Sequence, residues 1–164
     1  MRFLYPLIAA VLKIPDPASL YGASLHNALL RLIGAGAIEA AALREHEGRI
    51  EVLLRKREPN ATAYADMWHC PGSILRPTDE SLAMVFDRLS KDESLGSVES
   101  FELVDNLIIN EERGRMLDAI YLVRVSNPGP ETKWFPVDAL PEPMPPHHRD
   151  LIIPKAVKRF RAIY

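Results

Sequence analysis

Residues 67–96 join a short apolar segment, a Pro-Gly pair and an amphipathic run, and no other stretch limits the possible folds as strongly. Pro71-Gly72 ends a short strand predicted at 67–70, because proline removes a backbone donor and glycine favours a turn. The run at 79–95 is predicted to be a helix with Thr78 as its N-cap. Its apolar residues recur at the helical period and form one face: Leu82, Val85, Phe86 and Leu89. The segment therefore predicts a strand, a loop and a helix that packs on a core.

Patterns on both sides of this segment predict further strands, which makes the fold class α+β. Apolar and β-branched runs predict strands at the following positions: 37–43, 49–57, 98–109, 117–125 and 134–135. His46-Glu47-Gly48 is predicted to be the hairpin turn between the first two. Prolines crowd residues 136–146, which predicts an extended loop. A last helix is predicted to start at Pro154.

Residues 1–33 are predicted to form an N-terminal helical extension, separate from a domain at 34–164. Apolar residues recur there at helical spacing: Leu20, Leu25, Leu29, Leu30 and Ile33. The first residues resemble a short signal peptide, but Lys13 and Asp16 follow the apolar stretch and no small-x-small cleavage site is visible. The stretch is also too short to span a bilayer. We expect an apolar segment that packs on the domain or on a second subunit, which makes a homodimer possible.

Composition narrows the classes of protein to which the chain can belong. Its 164 residues fit one domain, and 48% hydrophobic content supports a substantial core. The net charge of −2, from 20 basic and 22 acidic residues, carries no strong signal for nucleic-acid binding. The one cysteine, Cys70, has no partner for an internal disulfide. A reducing compartment, the cytoplasm, is therefore expected, with no membrane segment.

Three segments together resemble the Nudix superfamily. Val52–Arg57 is similar to its aliphatic strand that ends in arginine, 68–72 to its Trp-x-x-Pro-Gly entry, and 134–141 to its late strand and turn. The resemblance covers Gly34 to Tyr164. It implies a Nudix-like α/β/α sandwich with a mixed sheet. It also implies a nucleotide-type small molecule as ligand, whose diphosphate and divalent cations lie at the helix of residues 79–95, called here the box helix.

The family box reads Gly-x5-Glu-x7-Arg-Glu-U-x-Glu-Glu-x-Gly-U, with U aliphatic, and it can be aligned in two ways. Without a gap, Ser73 replaces the leading glycine and Asp79 the first glutamate. Asp87-Arg88-Leu89 then stands for Arg-Glu-U and Lys91-Asp92 for Glu-Glu. This alignment places Leu89 on the aliphatic position, which should face the core, and we prefer it for that reason.

With one inserted loop residue, the ligand set changes. Glu80 becomes the first carboxylate, Arg88 the family arginine, and Asp92-Glu93 the last two glutamates. Leu89 then turns towards the metal and Ser90 takes the aliphatic position. The two alignments share only Asp92 as a retained carboxylate.

The preferred alignment places cations where the resemblance implies metal ligands. Arg88 and Lys91 stand at ligand glutamates, whereas magnesium needs several anionic oxygen ligands. Positive side chains there would repel a divalent ion. Metal-assisted attack of water on a diphosphate is therefore expected to be weakened or lost.

The sequence supports two functions. In the first, the domain binds a nucleoside-diphosphate-type ligand or a protein partner, with Arg57, Arg88 and Lys91 as ligand contacts. In the second, it is an active Nudix hydrolase with Asp92 and Glu93 as catalytic residues. Its Mg or Mn ligands would be Asp79, Glu80, Asp92 and Glu93.

Several residues also have a purely structural interpretation. Arg88 can pair with Asp92, and Lys91 with Asp87, four residues apart on the helix surface. His69 and Cys70 are interpreted as packed strand residues, since no zinc pattern surrounds them. His147-His148 are interpreted as residues at the entry to the last helix.

Overall fold

The computed structural model describes Arg31 and residues 34–61, 63–111 and 114–164. The helical extension predicted for residues 1–33 lies outside the described residues, apart from Arg31. The described elements are, in chain order, β1 (Ala35–His46), β2 (Arg49–Lys56), β3 (Trp68–His69), β4 (Gly72–Ile74), α1 (Leu82–Asp92), β5 (Ser97–Glu111), β6 (Gly114–Ser126), β7 (Thr132–Pro136), a π-helical turn (His148–Ile152) and α2 (Ile153–Ile163). Neither described helix is long and apolar enough to cross a membrane.

The strands form one mixed sheet in the order β3-β2-β1-β6-β5. β1 and β6 run parallel, and the other pairs are antiparallel. β4 pairs with the first half of β1, whereas β7 pairs with β2. β1 thus lies at the centre of the sheet and carries the strand that leads into the box helix.

Alternating side chains of the sheet divide the core into two layers. On one face, Ile38 and Tyr121 pack with the buried side of α1, and on the other Ala41 and Ile120 pack against α2. The buried residues of α1 are the predicted ones: Val85, Phe86 and Leu89. A mixed sheet between helices confirms the predicted α+β sandwich.

The box helix begins later than its sequence predicts. It starts at Leu82, and its N-cap is Ser81, whose hydroxyl accepts a hydrogen bond from the Met84 N–H at 3.3 Å. Thr78 was therefore wrong as the N-cap. Asp79 instead accepts a 2.7 Å hydrogen bond from the backbone N–H of Arg76, so the preceding residues form a turn.

Strand positions were predicted well except beside the Pro-Gly pair. Gly72–Ile74 forms a further strand, because it pairs with Ala37–Glu39 of β1 where a loop had been expected. The predicted hairpin turn after β1 is present. Glu47 and Gly48 both adopt left-handed backbone angles there, with φ of 50° and 73°.

Candidate functional site

The packing of the box helix fits the alignment without a gap. Leu89, which takes the aliphatic position, is fully buried, and so is Leu95, at the final aliphatic position. Ser94 falls on the family glycine between them and has a φ of 55°, a region that favours glycine. In the gapped alignment Leu95 would take that glycine position, where it would not explain the left-handed turn.

Arg88 is held within the chain by three groups near the start of the box helix. Its Nε lies 3.2 Å from Asp79 Oδ1 and its Nη2 lies 2.5 Å from Asp79 Oδ2, which makes a two-pronged ion pair. Its Nη1 donates to Ser73 Oγ at 2.5 Å, and Nη2 also reaches the Ile74 carbonyl at 3.4 Å. All three guanidinium nitrogens therefore have partners inside the protein, and the side chains of Arg88 and Asp79 are only 13% and 6% exposed.

These contacts replace the pairs expected from spacing along the helix. Arg88 pairs with Asp79 and not with Asp92, whose carboxylate instead lies 3.5 Å from Arg76. Lys91 is exposed, and the ion pairs found in the described part of the chain do not include one between Lys91 and Asp87. Arg88 therefore ties the loop before the helix to its body.

The pKa of Asp79 reflects this ion pair. Burial raises the pKa of Asp79, but hydrogen bonds from the Arg88 guanidinium and the Arg76 backbone outweigh burial and hold it below its ordinary value. The carboxylate thus stays charged and stays engaged with Arg88 at neutral pH.

Glu93 ends the box helix and turns inward towards the sheet. Its Oε2 lies 3.1 Å from Arg55 Nη1 on β2 and 3.5 Å from His69 Nε2 on β3. Burial raises the pKa of Glu93, and the Arg55 and Arg57 cations oppose that rise. The Arg57 cation thus acts on Glu93 as well as on His69, and its expected contact with a ligand phosphate stays a prediction.

A second group of polar side chains surrounds Gly72, on the strand that precedes the box helix. The buried carboxylate of Glu39 lies so close to Gly72 that a Cβ there would be 2.3 Å from Oε2. His148 Nδ1 lies 4.0 Å from the same oxygen and accepts a 3.3 Å hydrogen bond from the Cys70 backbone N–H. Only glycine fits at residue 72 while Glu39 keeps this position.

Further polar groups lie beside this one. The His147 ring is 5.4 Å from the Tyr64 ring, and its Nε2 is 4.0 Å from Glu111 Oε1. Asp118 is fully buried on β6 and pairs with Ala37, two residues before Glu39 on β1. We name these residues the polar cluster: Glu39, Tyr64, His69, Glu111, Asp118, His147 and His148.

Sequence reasoning assigned no role to most of this cluster. His69 and His148 are both buried, as a structural interpretation requires, but their rings lie 5.9 Å apart in one polar group. A signal did exist for Glu39, because it is the one charged residue in the otherwise apolar run 37–43. A buried carboxylate in such a strand needs polar neighbours, and here segments that are distant in sequence supply them.

No protein-family model and no curated protein matches the chain. Among solved structures, Shewanella oneidensis NrtR has a TM-score of 0.62 and 23% identity over 78% of this chain and 64% of that chain. The NUDIX domain of the same NrtR, complexed with ADP ribose, has a TM-score of 0.61 and 21% identity over 93% of this chain and 97% of that chain. The chain has the Nudix fold.

A third Nudix-fold structure supports the same conclusion. A mutT/nudix family protein from Listeria innocua has a TM-score of 0.59 and 18% identity over 79% of this chain and 96% of that chain. The Nudix-fold domain spans less than two thirds of the length of full NrtR, yet it matches nearly all of the separate NUDIX domain.

The acids at the box helix of the Nudix-fold domain were expected to hold a divalent cation. Across residues 34–61, 63–111 and 114–164, no three His, Cys, Asp or Glu side chains are arranged to hold a metal ion. The four acids expected as Mg or Mn ligands have different surroundings. Asp79 is paired with Arg88 and Glu93 with Arg55, while Glu80 and Asp92 are exposed.

Because the His69 ring is buried, we expect the Nudix-fold domain to lose stability in mild acid. Burial, and next the Arg57 cation, hold the pKa of His69 well below its ordinary value of 6.5. Below pH 6.5 the unfolded chain therefore takes up a proton that the folded protein excludes. Stability from this group is complete above pH 6.5 and should fall by about 1.4 kcal/mol per pH unit below it.

Urea unfolding between about pH 7.5 and about pH 5.5 measures this slope. His69→Gln should flatten it, because the titrating ring is gone. His46→Gln is the matched control, since His46 is an exposed imidazole, and it should leave the slope unchanged. Equal slopes in wild type and His69→Gln would contradict the prediction.

Proposed function

We propose that this Nudix-fold domain binds a nucleoside-diphosphate-type ligand with its own side chains and lacks ordinary metal-dependent hydrolysis. The ion pair between Arg88 and Asp79 is the observation that carries the proposal. In the alignment without a gap, a guanidinium occupies the position of a ligand glutamate and neutralises the carboxylate at the first box position. A guanidinium stays protonated and cannot generate hydroxide from water.

The class of ligand is supported by the fold neighbour solved with ADP ribose, which matches 93% of this chain. Arg57 and Lys91 are the candidate contacts for its phosphates. Arg57 lies near Glu93 and His69, as their pKa values reflect, and Lys91 is exposed on the box helix. Fixed cations bind phosphate oxygens through charge-assisted hydrogen bonds and need no bridging metal.

The sequence predicted that Arg88 contacts the ligand, but we propose a structural role for it. A phosphate would have to displace Asp79 or Ser73 to reach its nitrogens, because all three already donate within the chain. We therefore assign Arg88 to holding the loop of residues 73–79 in place. Ligand contact is assigned to Arg57 and Lys91. The lone Cys70, buried and without a disulfide, suits the cytoplasm as the place of this function.

Calorimetry with ADP-ribose tests the proposal. Binding is expected with Mg²⁺ and equally with EDTA, and chromatography of the same samples should show no nucleoside monophosphate released with Mg²⁺ or Mn²⁺. Arg57→Ala should raise Kd about 10-fold or more, because one charged hydrogen-bond donor is lost.

Arg161→Ala is the matched control, since Arg161 is an exposed cation on α2, and its Kd should equal that of the wild type. Binding that requires the metal, together with release of product, would overturn the proposal. That result would favour a hydrolase that uses Asp92 and Glu93.

A further inference from the structure

A hollow of about 460 Å³ lies near the carboxyl ends of the parallel strands β1 and β6. Its lining includes four apolar or aromatic side chains from β1, β7 and the end of α2: Leu43, Trp134, Phe160 and Tyr164. The volume is in the range of small-molecule sites, which are mostly apolar and carry a few polar groups. Three aromatic rings around one hollow favour a flat, aromatic occupant.

Arg124 is the cation of this hollow that lacks an acidic partner. Its guanidinium carbon lies 5.2 Å from the centre of the Tyr164 ring, and its Nη2 donates a hydrogen bond to the Tyr164 hydroxyl. Among the residues that the structure describes, no acid forms an ion pair with Arg124, and no acceptor engages its Nε or Nη1. A guanidinium beside aromatic walls can hold a carboxylate through charge-assisted hydrogen bonds.

The other charged side chains of the hollow have different positions. The guanidinium carbon of Arg44 lies 4.3 Å from the centre of the Trp134 ring, and Arg44 pairs with Glu51 at 2.7 Å, which balances its charge. Glu45 also lines the hollow and is exposed. Because an anion nearby opposes a bound carboxylate, Glu45 allows the charge argument to be tested in the opposite direction.

We propose that this hollow binds a planar aromatic carboxylate, with its ring against Trp134 and Phe160 and its carboxylate on the Arg124 guanidinium. Neither Arg57 nor Lys91 lines the hollow. The site is therefore separate from the one proposed for a nucleoside-diphosphate-type ligand, and it does not depend on that proposal.

Calorimetry of the full chain with naphthoate tests this site. Binding is expected with a Kd of about 1 mM or lower, and naphthamide, which has the same rings without the charge, should bind about 10-fold more weakly. Arg124→Gln should raise the Kd of naphthoate about 10-fold. Glu45→Gln should lower that Kd, because an opposing anion is removed.

Arg161→Gln is the matched control, since Arg161 is an exposed arginine of α2 that does not line the hollow. Its Kd for naphthoate should equal that of the wild type. Absence of binding, equal affinity for naphthoate and naphthamide, or an unchanged Kd in Arg124→Gln would overturn the proposal. Displacement of naphthoate by ADP-ribose would place both ligands in one site and overturn it as well. A dimer in sedimentation that Phe160→Ala dissociates would assign the hollow to a second copy, with the same consequence.

Nuclear magnetic resonance of the unmodified chain locates the ligand without requiring a variant to fold. The chain has two tryptophans, Trp68 and Trp134. Naphthoate should shift the indole N–H resonance of Trp134, which lines the hollow, and leave that of Trp68, which packs edge-on against Phe135. A shift of the Trp68 resonance with none at Trp134 would contradict the assigned site.

Discussion

Replacing Arg88 by leucine is expected to lower the free energy of unfolding by about 3–5 kcal/mol. The substitution leaves the carboxylate of Asp79 with 6% side-chain exposure and without its guanidinium partner. It also removes the donor to Ser73 Oγ. An uncompensated charge at so buried a position costs more than the contact itself had contributed. Denaturant unfolding at neutral pH measures the loss.

A second substitution separates the ion pair from the packing of the arginine stem. Adding Asp79→Leu to Arg88→Leu should recover part of the loss, since no buried charge is then left unpaired. Arg76→Leu is the matched control, because Arg76 is 40% exposed and its pair with Asp92 spans 3.5 Å. Its cost should stay below about 1 kcal/mol. A double variant as unstable as the sum of its parts would contradict this account of Arg88.

The ion pair between Arg88 and Asp79 also predicts how the free energy of unfolding changes in acid. The pKa of Asp79 is held below 3.8 in the folded protein, so its contribution is complete above pH 3.8 and is lost as pH falls through the lowered value. The stability difference between wild type and Asp79→Asn should therefore narrow only in strong acid.

Replacing Arg55 by leucine is the other change with a large expected effect, about 2–4 kcal/mol. Arg55 Nη1 contacts Glu93 at 3.1 Å and Nη2 contacts Glu131 at 2.8 Å, so one guanidinium joins β2, the end of the box helix and the loop before β7. The Arg55 side chain is 13% exposed and that of Glu93 is 19% exposed. Without Arg55, the desolvated Glu93 would have to carry its charge without that partner or take up a proton, and either costs stability.

Lys56→Leu is the matched control for Arg55→Leu, since Lys56 is the next residue, is 47% exposed and reaches Asp66 only at 3.7 Å. It should cost less than about 1 kcal/mol. Adding Glu93→Gln to Arg55→Leu should restore part of the lost stability, because an amide tolerates burial better than a carboxylate. No restoration would show that Arg55 acts through packing alone and would contradict the electrostatic explanation.

Two arginines form ion pairs with acids at the two ends of the box helix. At its beginning Arg88 neutralises Asp79, and at its end Arg55 engages Glu93. Both acids belonged to the expected metal set, and each now serves an ion pair inside the domain. These two ion pairs join the box helix to the loop before it and to β2.

The amino-acid sequence predicted most of the strands and the buried face of the box helix, and its resemblance to the Nudix superfamily implied the sandwich. The strands and the buried helix face follow from periodicity and turn residues within a few positions of each other, so Leu89 could be placed in the core without knowing its neighbours. The first residue of the helix was harder to predict, because Thr78 and Ser81 are both suitable N-caps and only the turn at Asp79 selects between them.

The partners of the charged residues could be identified only from the folded chain. Arg88 could satisfy either Asp92, one helical turn away, or Asp79, and the loop that returns beside the helix makes Asp79 the nearer carboxylate. Glu39 and His148 meet although 109 positions separate them, since β1 and the turn before α2 converge at Gly72. Periodicity reports local structure over a few residues. An ion pair depends on which distant segments pack together, and no short sequence pattern encodes that packing.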